Sequence, residues 1–381
     1  MVDDAVLDRA AELKHMLVEY SEQPRYDRVW HEVLDRHANP DMLWDEHRIM
    51  ALWDYLVLEH RLANGRTVVE QFVDAHPELS DQERAMLLGW RDVVQGPFEV
   101  QRRDGPALIT HNLVDELTYR LRANAGPSVF RGVSRGSFLI ARVVAVGDEW
   151  MLSGPTSVLR PRDRATAYQL AAEMSMRTPQ AAYRNPDKLA MAWQHQQRHR
   201  ENFIQCFGSD LVVVPGHEAA QQLDKFWAYC RDNVTASDPP GGSGGGASSL
   251  PPTELPAEMV ESETVALIFD REDGLGHYAD YGLVQDAFAN PDLLRRRRHR
   301  ETVLSYLHDD SVPPTVLQRL AEQDTDKASV VFRRLLKRPQ FNWRTDGEEL
   351  LRKYKADQLA RPRWPQFCPL NPRLAEHVQR R

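Results

Sequence analysis

Ser137–Val146 reads SFLIARVVAV, and after Gly147-Asp148 the chain continues as Glu149–Leu152, EWML. A run of apolar and β-branched residues without proline, closed by a Gly-Asp pair, predicts strand, turn and strand. Alternation places Phe138, Ile140 and Arg142 on one face and Leu139, Ala141 and Val143 on the other. Similar short stretches flank this pair: Phe98–Val100, Ala107–Thr110 and Leu117–Leu121 before it, Ser157–Leu159 after it. Asp104-Gly105-Pro106, Gly126-Pro127, Gly132 and Gly136 punctuate them. Short strands at such turn-rich spacing predict a small antiparallel β module over 97–160, either a sheet or a small barrel.

On the N-terminal side the period changes to three and four. Val6, Ala10, Leu13, Leu17 and Tyr20 recur at helical spacing, as do Ile49, Trp53, Leu56 and Val57, so residues 1–96 read as an acidic helical domain. On the C-terminal side, 161–236 reads as a helical region with one short strand, Leu211–Val214. A Gly/Ser/Pro-rich linker or loop over 237–260 follows, densest at Ser237–Pro252, SDPPGGSGGGASSLPP. Residues 261–381 form a basic, mostly helical C-terminal region that opens with the apolar strand Thr264–Phe269. The strands on either side of the tract are each too short to make a sheet alone, so they are expected to pair. The fold class is α+β: helical N-terminal domain, small antiparallel β module, and helical C-terminal region with a minor α/β element.

Of 381 residues 42% are hydrophobic, enough for a packed core and incompatible with a wholly disordered chain. No apolar run approaches the roughly 20 residues that span a bilayer. The acidic Met1-Val2-Asp3-Asp4 start lacks the order of a secretory signal, and three distant cysteines fit a reducing compartment, so a cytoplasmic location is expected. The net charge of −8 hides an alternation: −11 over 1–100, +5 over 101–210, −10 over 211–290 and +8 over 291–381. Such segments suit partners of opposite sign, or self-association.

The densest charge is Arg295-Arg296-Arg297-Arg298-His299-Arg300. On a helix these side chains point all round the axis, so several must face solvent or an anion. Arg333, Arg334, Lys337 and Arg338 form a second cluster, with Trp343 and Trp364 as aromatic surfaces. Arginine forks match phosphate, and aromatic faces stack on bases. A solvated helix face, or pairing with the acidic segments, is the competing reading.

A second candidate is the strand end TVALIFDREDG, where Asp270, Glu272 and Asp273 would gather carboxylates at a sheet edge, as in sites that hold Mg²⁺. The spacing matches neither a haloacid-dehalogenase motif nor a restriction-nuclease motif, and a plain turn competes with it. His195 and His199 share a helix face beside Glu201, the spacing of two metal ligands. The segment lacks HExxH and reads as a polar, solvated face; Glu46, His47, Glu59 and His60 are scattered along helix in the same way. Cys206 and Cys230 lie among apolar residues and read as small core residues. Gly126–Gly136 has no GKS or GKT and reads as a hairpin connection rather than a phosphate loop. No nucleophile motif is complete, so no catalytic residue and no cofactor are assigned.

The order of Trp90, Pro97-Phe98-Glu99-Val100, Phe138–Val146 with Trp150 and Ser153-Gly154, then Phe207-Gly208-Ser209-Asp210 and Val213-Val214-Pro215-Gly216, resembles an uncharacterised prokaryotic protein family. That family is similar to the body of proteins carrying a SEC-C-type Cys-rich zinc motif, and the likeness runs over roughly residues 40–380. The CxC…CC or CxC…CH cluster is absent here, so zinc-mediated binding does not carry over. The resemblance implies a cytoplasmic prokaryotic binding protein. The expected function is therefore a non-catalytic interaction protein that contacts nucleic acid or an acidic protein partner through Arg295, Arg296, Arg297, Arg298, Arg300, Arg333, Arg334 and Arg338. The alternative is a divalent-metal-dependent hydrolase or nuclease built on Asp270, Glu272 and Asp273.

Overall fold

The computed structural model describes residues 2–37, 46–233 and 253–378. The tract 237–252 lies outside the described residues. Residue contacts divide the chain into two compact units, Met1–Lys188 with Leu370–Arg381, and Leu189–Pro369.

Unit 1 begins with α1 (Asp4–Ser21), α2 (Asp27–Arg36), α3 (Glu46–Leu58), α4 (Val68–Ala75) and α5 (Asp81–Gly89). The last two start at capping boxes, Thr67 with Glu70 and Ser80 with Glu83, which satisfy the first free N–H groups of each helix. Next come β1 (Val94–Asp104), β2 (Ala107–Asn112), β3 (Thr118–Arg122), β4 (Phe138–Val146), β5 (Glu149–Leu152) and β6 (Ser157–Leu159). Gly105 at φ +59 and Gly147 at φ +59 occupy the first position of the two-residue β1–β2 and β4–β5 turns. Glycine there lets the turn follow the strand twist.

The strand order is β1-β2-β3-β5-β4, with β4 pairing back to β1, so five strands close into a barrel and β6 pairs with β4. The module is mixed, not antiparallel: β5 runs parallel to β3, with Leu121 opposite Trp150 and Arg122 opposite Met151. After the tight β4–β5 turn the returning strand meets the open edge of β3, and pairing there removes the barrel's last free edge. The 126–136 segment is accordingly not a hairpin connection; it holds a 3-10 turn, Pro127–Phe130, between strands that are not neighbours.

The alternation along β4 holds. Leu139, Ala141 and Val143 fill the barrel with Phe98, Leu108 and Tyr119. Val144, Val146 and Met151 face outward into one core with Leu13, Leu17, Phe72 and Trp90 of the helices. Trp90 Nε1 donates to the Ala145 carbonyl at 2.9 Å, satisfying the one polar atom of a fully buried indole. α6 (Arg164–Arg177) and the start of α7 (Pro186–Phe207) follow the barrel.

Unit 2 takes the rest of α7, then β7 (Leu211–Val214), α8 (Ala219–Asp232), α9 (Ala257–Val260), β8 (Val265–Asp270) and β9 (Gly274–Ala279). The strands flanking the tract do pair, Val214 opposite Val265. The sheet β7-β8-β9 is antiparallel throughout, so the element is not α/β. β8 is buried on both faces: Val265, Leu267 and Phe269 pack with Phe203 and Phe226, while Ala266 and Ile268 join a second, helical core. That core is built from α10 (Tyr281–Ala289), α11 (Arg297–His308), α12 (Pro314–Gln323), α13 (Thr325–Leu336) and α14 (Trp343–Tyr354). After α15 (Ala356–Ala360) an irregular arm runs to α16 (Pro372–Val378), which belongs to unit 1 and packs on α6. Among the described residues no helix is long and apolar enough to cross a membrane.

Candidate polyanion surface and an adjoining cleft

α11 starts at Arg297, two residues into the arginine run, and within that run only His299 turns inward. It is 7% exposed, while Arg295, Arg296, Arg297, Arg298 and Arg300 lie on the surface. A 3-10 turn, Pro291–Arg295, precedes α11 and packs on α13. Arg334 of α13 donates to the Pro291 carbonyl at 2.6 Å and pairs with Asp292 at 2.9 Å. Thus Arg334, more than 30 residues further along the chain, lies against the turn that leads into the arginine run.

Their members differ in use. Arg297 pairs with Glu301 at 2.7 Å, Arg298 with Glu263 at 2.7 Å and Asp280 at 3.2 Å, and Arg333 donates to the Phe341 carbonyl at 2.7 Å. Arg338 is exposed, and its charge helps hold the Asp346 carboxyl below the usual range, behind the Asn342 N–H and the Thr345 hydroxyl. Arg295, Arg296 and Arg300 make no ion pair among the described residues. The N-cap of α11 is Arg296, whose side chain makes no capping bond, and its first turn carries no acidic residue. Cations therefore sit at the positive end of a helix dipole, an arrangement that costs stability and favours an anion in front of it. Trp343 does not join this surface. It is 8% exposed and stacked on Phe332 at 5.1 Å, because the α13–α14 packing needs its ring.

The three carboxylates meet in the β8–β9 turn, each with another partner. Asp270 Oδ1 accepts the Glu272 and Asp273 N–H groups at 2.8 and 3.0 Å, an Asx turn that closes the hairpin. Glu272 pairs with Arg363, and Asp273 accepts the Thr315 hydroxyl at 2.6 Å. Burial pushes the Asp273 carboxyl upward against that hydrogen bond. Among the described residues no group of three or more His, Cys, Asp or Glu is placed to hold a metal ion.

His195 and His199 are not on a solvated face. Each is 8% exposed, and the His199 ring packs against Phe367 at 4.5 Å and Trp227 at 6.0 Å. Burial, with His195 and Arg198 nearby, drives His199 down to about 4, so the imidazole is neutral at pH 7. Glu201 is exposed and accepts from Gln197 at 3.1 Å. Cys230 is a buried core residue, its thiol pushed up to about 11 by burial.

Two features escaped the sequence reading. One is a cage in unit 1: Asp54 accepts Lys14 Nζ at 2.6 Å, Ser153 Oγ at 2.7 Å and Arg142 Nε at 2.6 Å, and Arg142 also reaches Glu59. Burial alone would raise the Asp54 carboxyl, but Lys14 and Arg142 outweigh it and hold it at about 2. The alternation of β4 put Arg142 on the outward face; nothing in the sequence revealed which carboxylate would meet it. The other is a cleft of about 510 Å³ in unit 2, lined by Asp273, His277, Gln358, Arg361, Arg363 and Trp364 among others. Its walls come from segments up to 107 positions apart, Met259 to Gln366, so no local motif could mark it.

The fold and these surfaces define an α+β protein with a closed five-stranded barrel in one unit and an arginine-fronted helical core in the other. No protein-family model, curated protein or solved structure matches the chain.

Proposed function

We propose that this chain binds the phosphate backbone of a nucleic acid through Arg295, Arg296 and Arg300 at the start of α11, with Arg338 of the neighbouring cluster. The observation that carries this reading is the exposed arginine run at a helix start whose first turn has no acidic residue, with Arg334 of the second cluster against the turn before it. A cationic first turn weakens the helix; the fold offsets this at Arg297 and Arg298, which pair with Glu301, Glu263 and Asp280, and an anionic ligand would offset it at Arg295, Arg296 and Arg300. The barrel supports the same class from another direction. A three-strand meander closed by β4, with β5 inserted parallel to β3, is the strand order of five-stranded oligonucleotide- and oligosaccharide-binding barrels, an analogy of fold alone.

The test is fluorescence anisotropy of labelled single-stranded and duplex oligonucleotides, titrated over a range of salt. Four phosphate contacts give a log–log salt slope of about −3 to −4. Charge reversal of Arg295, Arg296 and Arg300, which make no ion pair among the described residues, abolishes binding. Binding that survives this reversal, or that ignores salt, sinks the proposal. Loss of a pulled-down acidic protein in its place reassigns the surface to a protein partner.

A further inference from the structure

Between Leu117 and Gly147 the chain carries five arginines and no carboxylate. Three of the five are answered from elsewhere in unit 1: Arg120 and Arg122 meet Glu149 at 2.9 and 3.1 Å, and Arg142 meets Asp54 at 2.6 Å. Arg131 and Arg135 are not. Both are exposed, on the 126–136 segment between β3 and β4, and neither makes an ion pair among the described residues.

The fold brings three more arginines up to them. On one side, Arg103 of β1 donates to the carbonyl of Phe130, the residue before Arg131, at 2.7 Å. The Gly136 N–H donates to the Val100 carbonyl at 2.8 Å and the Val100 N–H to the Ser137 carbonyl at 2.8 Å, so the segment lies along β1. On the other side β6 pairs Leu159 with Phe138. A Cβ on Gly136 would stand 3.7 Å from Pro161 Cγ, so the two chains stay side by side beyond the strand ends. Arg160 and Arg162, which flank Pro161, therefore come alongside Arg135, on backbones about one strand spacing apart, roughly 5 Å.

Within residues 100–104, 131–137 and 160–164 the carboxylates are Asp104 and Asp163, and both are engaged. Asp163 accepts the Arg160 backbone N–H at 3.2 Å and lies 3.8 Å from Arg162 Nε. Asp104 pairs with Arg120 and stands 3.6 Å from Arg102. The Arg160 guanidinium is exposed and makes no ion pair among the described residues. Arg131, Arg135 and Arg160 thus stand uncommitted on adjoining segments. Water and salt screen their repulsion only in part, and an anion laid across them removes it.

We infer that this face of unit 1 is a second phosphate-binding surface, on which Arg131, Arg135 and Arg160 each take a backbone phosphate of a nucleic acid. The inference rests on the reading that nucleic acid is the ligand, and it concerns other residues, in the other unit. An arginine fork suits the task because it meets two phosphate oxygens at once and keeps its charge at any working pH. Such contacts set affinity and salt dependence, not base preference.

The test repeats the oligonucleotide titrations with the full chain carrying Arg131→Glu, Arg135→Glu and Arg160→Glu together. Three lost phosphate contacts should weaken binding about tenfold or more at physiological salt and reduce the log–log salt slope by about 2 to 3, whatever the sequence offered. Gln at the same three positions, a milder change, should lower the slope equally, and Lys should preserve it. All three positions are exposed, and an unchanged melting curve separates lost binding from lost folding. Wild-type affinity and slope in both the Glu and the Gln variants, beside an α11 reversal that abolishes binding, overturn this inference and leave the α11 reading standing. Binding that survives the α11 reversal but not the unit 1 reversal sinks the α11 reading and makes this surface the site. No binding by the unaltered chain at any salt overturns both. If the unit 1 reversal instead releases the chain from phosphatidylserine vesicles and leaves oligonucleotide binding unchanged, the face belongs to a membrane and the nucleic-acid assignment is overturned.

Discussion

The arginines of the barrel and those of α11 are one residue type in opposite circumstances. In unit 1, Arg122 and Arg142 are nearly buried, and each guanidinium is paired with carboxylates. Arg122 meets Glu149 at 3.1 Å and also pairs with Asp4, while Arg120 meets the same Glu149 at 2.9 Å. In unit 2, Arg295, Arg296 and Arg300 lie in solvent against a helix end that would prefer anions. Buried charge must be matched inside the molecule, because desolvation otherwise costs several kcal/mol per ion. Exposed charge can be left for a partner, since water screens it meanwhile. Arg122 and Arg142 therefore hold the fold, whereas Arg295, Arg296 and Arg300 make no ion pair among the described residues.

This contrast sets the order of expected effects. The largest falls on the cage: Asp54→Ala strands Lys14 and Arg142 without their shared carboxylate, at a cost of about 3–5 kcal/mol in urea unfolding. A change below about 1 kcal/mol would mean that the cage is not a buried ionic unit.

A pH series refines the same point. Asp54 is held at about 2 in the folded chain, against about 3.9 when unfolded. The folded state thus binds fewer protons than the unfolded one in that window, so its contribution is complete above about pH 4 and disappears as pH falls towards about 2. The stability gap between wild type and Asp54→Asn should close over that range and stay constant above it. A gap that remains open at pH 2 would contradict the assignment.

The smallest effect belongs to α11 and has the opposite sign. Arg296 occupies an extended N-cap position, φ −78 and ψ 127, with no capping bond. Arg296→Asp supplies a cap and an anion at the positive helix end, raising stability by about 1 kcal/mol. The same change should weaken nucleic-acid binding. A variant that loses stability would show that this arginine serves the fold, and the contrast with the barrel would collapse.

Much of the architecture was legible from local pattern. Period-two alternation located the strands, and period-three-to-four spacing located the helices, because each pattern reports which face of an element is buried. The pairing of β7 with β8 followed from two strands too short to stand alone. The site was legible only in composition. An arginine run announces charge, but whether each guanidinium is paired depends on residues such as Glu263 and Asp280, whose approach no spacing rule encodes. The histidine face misled for a related reason: Gln194–Arg200 looks polar, yet Phe367 and Trp227 cover His199 from distant parts of the chain.

Residue order alone specified a helical, acidic start, a turn-rich β module, a short sheet around the 237–252 tract and a basic helical end. Those are properties of near neighbours: propensity, turn chemistry and hydrophobic period. Tertiary structure decided the rest. It inserted β5 parallel to β3 to close the barrel, gave Asp54 to Lys14 and Arg142, turned Trp343 into the core while leaving Trp364 at a cleft, and set the two arginine clusters side by side. Each of these depends on which distant surfaces meet, and burial free energy is realised only after they do.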